Sequence, residues 1–505
     1  MTAAAESPTP PPRVPTGIAG LDTILRGGLL RGGLYAVVGP PGAGKTILGN
    51  QLCFHHVATG GRALYITLLT EAHGLLFSYL SSLTFFDPTL IGAGLRYYSA
   101  YHELEEGGLA GLRDYLRTVV RQDKSTLLVL DGFAPFAATA AGDLDLHRFL
   151  AAVQVQGAAS GCTTLLLMAT AQLDATHPAY AMVDGVIALD DRRVGPRAVR
   201  ELSVPKLRGS GYLRGGHACA ITDAGLVVYP RIEALLARPS RAITEGRARH
   251  AFGIAGLDAM LHGGVLAGST TLLLGEPGTG KTLTGTSFLV AGAAAGERGL
   301  YFGFFESPAR LIGTVDGVGL ALSRHVADGT IALVWRPPLE ASIDALAGEL
   351  LTAVRERGVR RLFIDGLDGF ARTAVEPERI DAFFTALSNE LRALAVTTVV
   401  SLEQTRLFDP TVEAPITGVS ATFENLLLLR TVELRAQLHR LVSIVKVRES
   451  GYNTAIREFR ISAQGIDVAA TFASAEAVLT DLEPPAPPPT TGTPTAPPFD
   501  AGPER

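Results

Sequence analysis

Gly39-Pro40-Pro41-Gly42-Ala43-Gly44-Lys45-Thr46 follows the apolar run Leu34 to Val38 and opens onto a helix-like stretch, Ile47 to Val57. The spacing G-x-x-x-x-G-K-T between a strand and a helix is that of a phosphate-binding P-loop. Its glycines let the backbone curl so that successive N–H groups point inward at phosphate oxygens. The helix that follows turns its positive N-terminal end to the same group. Lys45 has the reach and charge for the β- and γ-phosphates of ATP, and the Thr46 hydroxyl offers one position to Mg²⁺. A chance glycine-rich turn does not account for all eight residues in that context.

The phrase returns as Gly275-Glu276-Pro277-Gly278-Thr279-Gly280-Lys281-Thr282, with Lys281 placed 236 positions after Lys45. Upstream, Thr16-Gly17-Ile18-Ala19-Gly20-Leu21-Asp22 is matched by Phe252-Gly253-Ile254-Ala255-Gly256-Leu257-Asp258, and Gly17 to Gly253 is again 236 positions. A constant shift over both phrases means an internal duplication.

Each half then alternates strand and helix patterns. The strand candidates are Leu34–Val38, Ala63–Leu68, Thr126–Leu130 and Thr163–Met168, then Thr270–Leu274, Gly299–Phe304, Arg361–Ile364 and Val396–Leu402. Their runs are apolar on both faces, as central parallel strands covered by helices require. Helix patterns lie between them, among them Leu109–Gln122 and Ile343–Arg357. Each half closes on two extended runs with a polar connection, Val186–Leu189 with Val199–Leu207 and Asn425–Leu434 with His439–Val447, read as antiparallel edge hairpins. The expected fold is α/β: two tandem P-loop domains, each a mainly parallel, doubly wound sheet with an antiparallel edge hairpin. The expected division is a tail over 1–13, domains over 14–237 and 249–473, a linker over 238–248, and a proline-rich tail over 474–505.

Bulk properties narrow the function. The 505 residues suffice for two or three domains, and 47% hydrophobic against 18% charged residues predicts large buried cores. A net charge of −5 argues against a generic nucleic-acid binder or an anionic-membrane binder. Cys53, Cys162 and Cys219 are far apart in apolar surroundings, which suits buried thiols in a reducing compartment rather than disulfides or zinc. The Met1–Ser7 start has neither a basic region nor an apolar core, and no long uncharged apolar run occurs. The expectation is a cytoplasmic protein without a membrane span.

A P-loop needs a carboxylate on a neighbouring strand to hold Mg²⁺ through water. Asp131 ends Leu127-Leu128-Val129-Leu130, and Asp365 ends Leu362-Phe363-Ile364, 86 and 84 residues after their lysines. Hydrolysis also needs a group that orients or deprotonates the attacking water, expected just after the second strand. Glu71 and Glu306 stand there, although a solvated acid at a helix start is the plain alternative.

With Lys206-Leu207-Arg208-Gly209-Ser210 closing the first half, this order of motifs resembles the KaiC family of RecA-like ATPases. The second half closes on Lys446-Val447-Arg448-Glu449-Ser450 and Ala455-Ile456-Arg457-Glu458-Phe459, similar to that family's second domain. The resemblance covers about residues 14–470. It implies a double-ring homohexamer with ATP and Mg²⁺ at subunit interfaces, and Lys206, Arg208, Lys446 and Arg448 reaching a neighbour's γ-phosphate. It also implies a signalling role with an unidentified protein partner.

Two departures bear on that role. The family has two adjacent glutamates after the second strand; the matching pairs here are Leu69-Thr70, with Glu71 one place later, and Phe305-Glu306. Clock members carry adjacent Ser-Thr phosphoacceptors, but here Ser420 is followed by Ala421. Ser420 is therefore a candidate phosphoacceptor for serine/threonine autokinase activity, with a structural loop serine as the equal alternative. The proline-rich tail does not resemble the segment by which clock members bind their activator, and a circadian oscillator is not expected. The leading reading is an ATP-hydrolysing hexameric switch. A nucleotide-gated scaffold with negligible turnover and a RecA-type DNA motor stay open beside it.

Overall fold

The computed structural model describes residues 11–68, 73–133, 143–169, 178–243, 246–404, 422–434 and 437–469. They form two nine-stranded sheets. In the first, the spatial order is Leu95–Ser99, Ala63–Thr67, Leu127–Asp131, Thr163–Met168, Leu34–Val38, Gly185–Val194, Arg197–Leu207, Gly216–Thr222 and Gly225–Tyr229. The run from Leu95–Ser99 to Gly185–Val194 is parallel throughout, and the remaining three strands add on antiparallel. The second sheet repeats the order with Ile331–Trp335, Gly299–Gly303, Arg361–Asp365, Thr397–Glu403, Thr270–Gly275, Asn425–Leu434, Gln437–Val447, Arg457–Ser462 and Gly465–Val468.

The expected parallel strands therefore form, and each closing hairpin is antiparallel. Beyond each hairpin lie two further antiparallel strands, and a short parallel strand flanks the opposite edge. Leu95-Arg96-Tyr97-Tyr98-Ser99 is five residues with an arginine second, too short and mixed to stand out as a strand before its neighbour is known. The expected helix over Leu109–Gln122 is part of a longer one, Tyr101–Asp123, that bends at Gly108, whose φ of 55° and ψ of −155° interrupt the helical path. Ile343–Arg357 forms as expected: Ser342 caps it by accepting from the Ala345 N–H at 3.1 Å, and Gly358 in the left-handed region ends it.

Both faces of each sheet are covered. In the first domain Tyr35, Val37, Leu52 and Val129 pack on one side, and Ala36, Leu64, Leu130 and Phe149 on the other. Full burial of each such leucine, valine or phenylalanine contributes about 1.5–3 kcal/mol. The TGIAGLD phrase is a structural device. Asp22 accepts from the N–H of Thr16 at 2.8 Å and of Gly17 at 3.3 Å, and Asp258 from Phe252 at 2.6 Å and Gly253 at 3.0 Å. Gly20 and Gly256 let the short helices Ala19–Ile24 and Ala255–Met260 close on a strand: a Cβ there would stand 1.8 Å from the Val228 carbonyl and 2.3 Å from that of Val468.

The junction between the two halves is packed. The helical turn Ile232–Leu235 and Leu236 join the second domain's core between helices Ile343–Arg357 and Ile380–Ala393. The Ile232 N–H donates to Asp344 at 3.0 Å, and Arg379 bridges Glu233 at 2.7 Å and Asp344 at 2.9 Å. Further along, the Ser240 N–H donates to Glu390 at 2.7 Å, and Arg355 pairs with the same carboxylate at 2.6 Å.

Candidate nucleotide sites

Both P-loops sit at the carboxyl end of the central strand of their sheet, where parallel α/β folds place ligands. Gly42 and Gly44, and Gly278 and Gly280, have φ between 75° and 105°, so the loop turns back on itself before the helices Lys45–Ala58 and Lys281–Ala294 begin. Lys45 Nζ donates to the carbonyls of Gly39 and Pro40, each at 2.8 Å, and Lys281 Nζ to those of Gly275 and Glu276 at 2.8 and 2.7 Å. Each ammonium thus lies across its loop. Burial pulls both lysines below their ordinary pKa, against the opposing charge of Asp131 at one and of Glu403 and Asp365 at the other.

The strand-end aspartates meet the P-loop threonines. Thr46 Oγ1 donates to Asp131 at 3.0 Å, and Thr282 Oγ1 to Asp365 at 2.9 Å. A tyrosine from the neighbouring strand completes each pair: Tyr65 donates to Asp131 at 2.5 Å and Tyr301 to Asp365 at 3.0 Å. These tyrosines are a component the motif reading passed over, although they too are 236 positions apart. The second aspartate receives one donor more, from Ser401 at 2.7 Å, where the parallel register of the first sheet places Leu167 beside Asp131. Burial raises the Asp365 carboxyl, with the Ser401, Thr282 and Tyr301 hydroxyls pulling the other way.

Around the second P-loop a cavity of about 550 Å³ brings together Lys281, Thr282, Asp365 and Glu306. It also takes in Glu403 and Arg440, which the motifs did not indicate; Arg440 Nε donates to the Gly278 carbonyl at 3.0 Å. Burial and then the neighbouring Asp365 raise the Glu306 carboxyl, opposed by Arg310. One of its oxygens, Oε2, is buried without a hydrogen bond among the described residues. Glu71 and Ser420 lie outside the described residues.

The four K-x-R cations are not at the P-loops of their own domains. Lys206 donates to the Tyr180 and Ala181 carbonyls, Arg208 to Ala181 at 2.9 Å, and Lys446 to Phe423 at 2.9 Å. Register explains the separation. Lys446 pairs with Leu426, which pairs with Leu272, three residues before Gly275 and so about 10 Å back from the loop. Burial lowers both lysines, and the adjacent arginine lowers them further. The serine that ends each signature anchors the amino-terminal arm of its domain: Arg13 donates to Ser210 at 2.6 Å, and Arg249 to Ser450.

Among the described residues no helix is long and apolar enough to cross a membrane. The three cysteines are buried and free, and burial pushes the Cys162 and Cys219 thiols up to about 12.

Comparison with known proteins agrees with the geometry. The circadian clock oscillator protein KaiC of Picosynechococcus sp. is 25% identical over 484 residues, covering 92% of this chain and 91% of the relative. KaiC 1 of Synechocystis sp. is 26% identical over 481 residues, with 92% and 91% covered. KaiC of Rippkaea orientalis is 24% identical over 478 residues, with 92% and 90% covered. The sequence model of the family described as "ATPase: KaiC" matches residues 14–233 and again 251–472. With that domain matched twice along the chain, nucleotide-binding loops included, the chain belongs to the KaiC family of ATPases.

Proposed function

We propose that the chain hydrolyses ATP with Mg²⁺ at both P-loops and works as a homohexameric switch, nucleotide lying between subunits. The observation that carries this is the threefold constellation repeated in both halves: a lysine across the P-loop, a threonine hydroxyl on a strand-end carboxylate, and a tyrosine holding that carboxylate. The Thr46–Asp131 and Thr282–Asp365 pairs are hard oxygen donors at the foot of a phosphate loop, the donor set Mg²⁺ prefers. Bound there, Mg²⁺ would be held by these residues and would offset the negative charge that builds up on the phosphates.

The protein's own residues supply the rest. The curled P-loop amides and Lys281 hold the phosphates, and Glu306 accepts a proton from the water that attacks the γ-phosphorus. The new P–O bond forms as the bond to the β,γ-bridging oxygen breaks and ADP leaves. A carboxyl raised by burial is the better base for this near neutrality. In the first domain Glu71 takes the same part. Lys206, Arg208, Lys446 and Arg448 stand at the far end of the strand from their own P-loops, a position that supports their serving the phosphate of a neighbouring subunit. A cation supplied in trans makes turnover depend on assembly.

The test is phosphate release by purified protein with Mg-ATP, its mass read by light scattering. Wild type is compared with Glu71→Gln and Glu306→Gln. A hexamer whose turnover falls in either variant supports the reading. A hexamer with negligible turnover in all three makes the protein a nucleotide-held scaffold, and a monomer with full turnover removes the trans role of the cations.

A further inference from the structure

The two domains are entered by the same arm. Arg13 donates to the carbonyls of Leu25 and Gly28, and Arg249 to those of Leu261 and Gly264. One residue earlier, the Pro12 carbonyl accepts from the Arg31 N–H at 3.0 Å, and the Ala248 carbonyl from the Ala267 N–H at 2.8 Å. The shift of 236 positions therefore holds through the arm, and it sets residues 1–12 against residues 237–248.

In the second domain the chain reaches this arm out of a groove. Leu236 packs between helices Ile343–Arg357 and Ile380–Ala393, the Ser240 N–H donates to Glu390, and Ala248 follows eight residues later. The matching groove in the first domain runs between helices Tyr101–Asp123 and Asp143–Ser160 and is open, with a volume of about 890 Å³. It is lined by the carboxyl-terminal halves of both helices, and Val155 on its floor is 70% exposed. The arm enters at that end. Arg13 pairs with Leu30 and Pro12 with Arg31, so the chain before Pro12 runs on toward Gly32. Gly32 lies against the second of these helices, where its Cβ would stand 2.9 Å from the Gly157 carbonyl. Ala4, the counterpart of Ser240, is eight residues from Pro12, a reach of up to about 26 Å. The helix from Ala152 to Ser160 is only about 12 Å long.

Charge fits the same occupant. Lys124 to Gly358 and Asp131 to Asp365 are both 234 positions, so Arg121 and Gln156 stand where the second domain has Arg355 and the fully buried Glu390. The first groove has thus lost the carboxylate that its helix arginine would pair with. No carboxylate lines it, and among the described residues Arg117, Arg121 and Lys124 on its rim form no ion pair. The tail carries one acid, Glu6, two residues past Ala4, and three small apolar residues before it. We infer that residues 1–11 of this chain dock in the first domain's groove as the linker docks in the second's. Ala3, Ala4 and Ala5 would cover the floor of Ala152 and Val155, with Glu6 toward Arg121.

The test places a reporter on the groove floor, Val155→Cys in the full chain, and follows its reaction with a maleimide by mass spectrometry of the peptide carrying residue 155. The native thiols are buried. With the tail present the reaction is slow, and deleting residues 2–10 speeds it about tenfold or more. Glu6→Lys speeds it about fivefold, since an exposed contact is lost and a repulsion gained. Adding Arg121→Glu to Glu6→Lys restores the slow rate. A full chain that reacts as fast as the tail-less one overturns the proposal. So does slow reaction that survives the deletion, which, if it depends on protein concentration, means that a second copy covers the groove. A charge swap that fails to restore the slow rate overturns it as well.

Discussion

Replacing Arg379 with alanine removes the cation on which the linker's seat depends. Arg379 bridges two carboxylates, Glu233 of the linker and Asp344 of the second domain, and Asp344 is only 2% exposed. Leaving a buried charge without its partner costs about 3–5 kcal/mol. Asp344 keeps the Ile232 N–H, and Glu233 keeps Arg231 at 3.5 Å, so the low end applies, about 3 kcal/mol. For a unit of this size that lowers the melting temperature by about 6–12 °C. The penalty also has a pH signature. Burial raises the Asp344 carboxyl above its ordinary pKa despite the pull of Arg379. A carboxyl raised in the folded state favours folding when protonated, and that contribution is lost as pH climbs through the folded pKa. Without Arg379 the carboxyl rises further, so the loss is greatest near about pH 8 and shrinks toward about pH 5. The assay is thermal unfolding of the full chain at both pH values for wild type, Arg379→Ala and Arg379→Ala with Asp344→Asn. The double variant should recover most of the loss at the higher pH. A loss under about 1 kcal/mol, or one equal at both pH values, would refute the reasoning.

Other outcomes follow from the same geometry. In a Lys45→Ala background, turnover at the second site should rise with pH through a midpoint above the ordinary carboxylate range, because only ionised Glu306 accepts the proton; Glu306→Gln should flatten that profile. Lys281→Ala should weaken binding of a fluorescent ATP analogue at the second site about 10–100-fold, the worth of a charge-assisted phosphate contact, and equal affinity in wild type and variant would remove the lysine from the site. Gly20→Ala should cost about 1–3 kcal/mol in urea unfolding, since its Cβ would press on the Val228 carbonyl; an unshifted midpoint would show that the short helix moves away freely.

Much of this architecture was legible because it is written twice. The P-loops, the strand-end aspartates and the closing hairpins each stand at matching positions in the two halves, and all take the expected place in the sheets. The same shift would have found Tyr65 and Tyr301, but a buried tyrosine between apolar neighbours looks like ordinary core until a carboxylate is set beside it. Ser401, Glu403 and Arg440 have no such signal: they meet the second P-loop through strand pairing between residues more than 120 positions apart, and motifs do not record that. The K-x-R signatures were read from a resemblance, and only the register shows how far each lies from its own loop. The role of TGIAGLD was hidden for another reason. Its second glycine, Gly20 or Gly256, is needed because of a strand about 200 residues later, and close approach is a property of space rather than of local sequence.

The packed junction also bears on how the chain is made. Ile232 and Leu236 leave the ribosome as soon as the first domain is complete, yet Phe383 and Leu391, which share their core, come only later. That interval is roughly 150 residues, or about 8–30 s of synthesis at ~5–20 residues per second. Throughout it a finished domain trails a greasy, unclaimed end. The newborn chain is thus exposed to mispairing with its neighbours on the same message at one defined moment, which ends when the helix over 380–393 emerges.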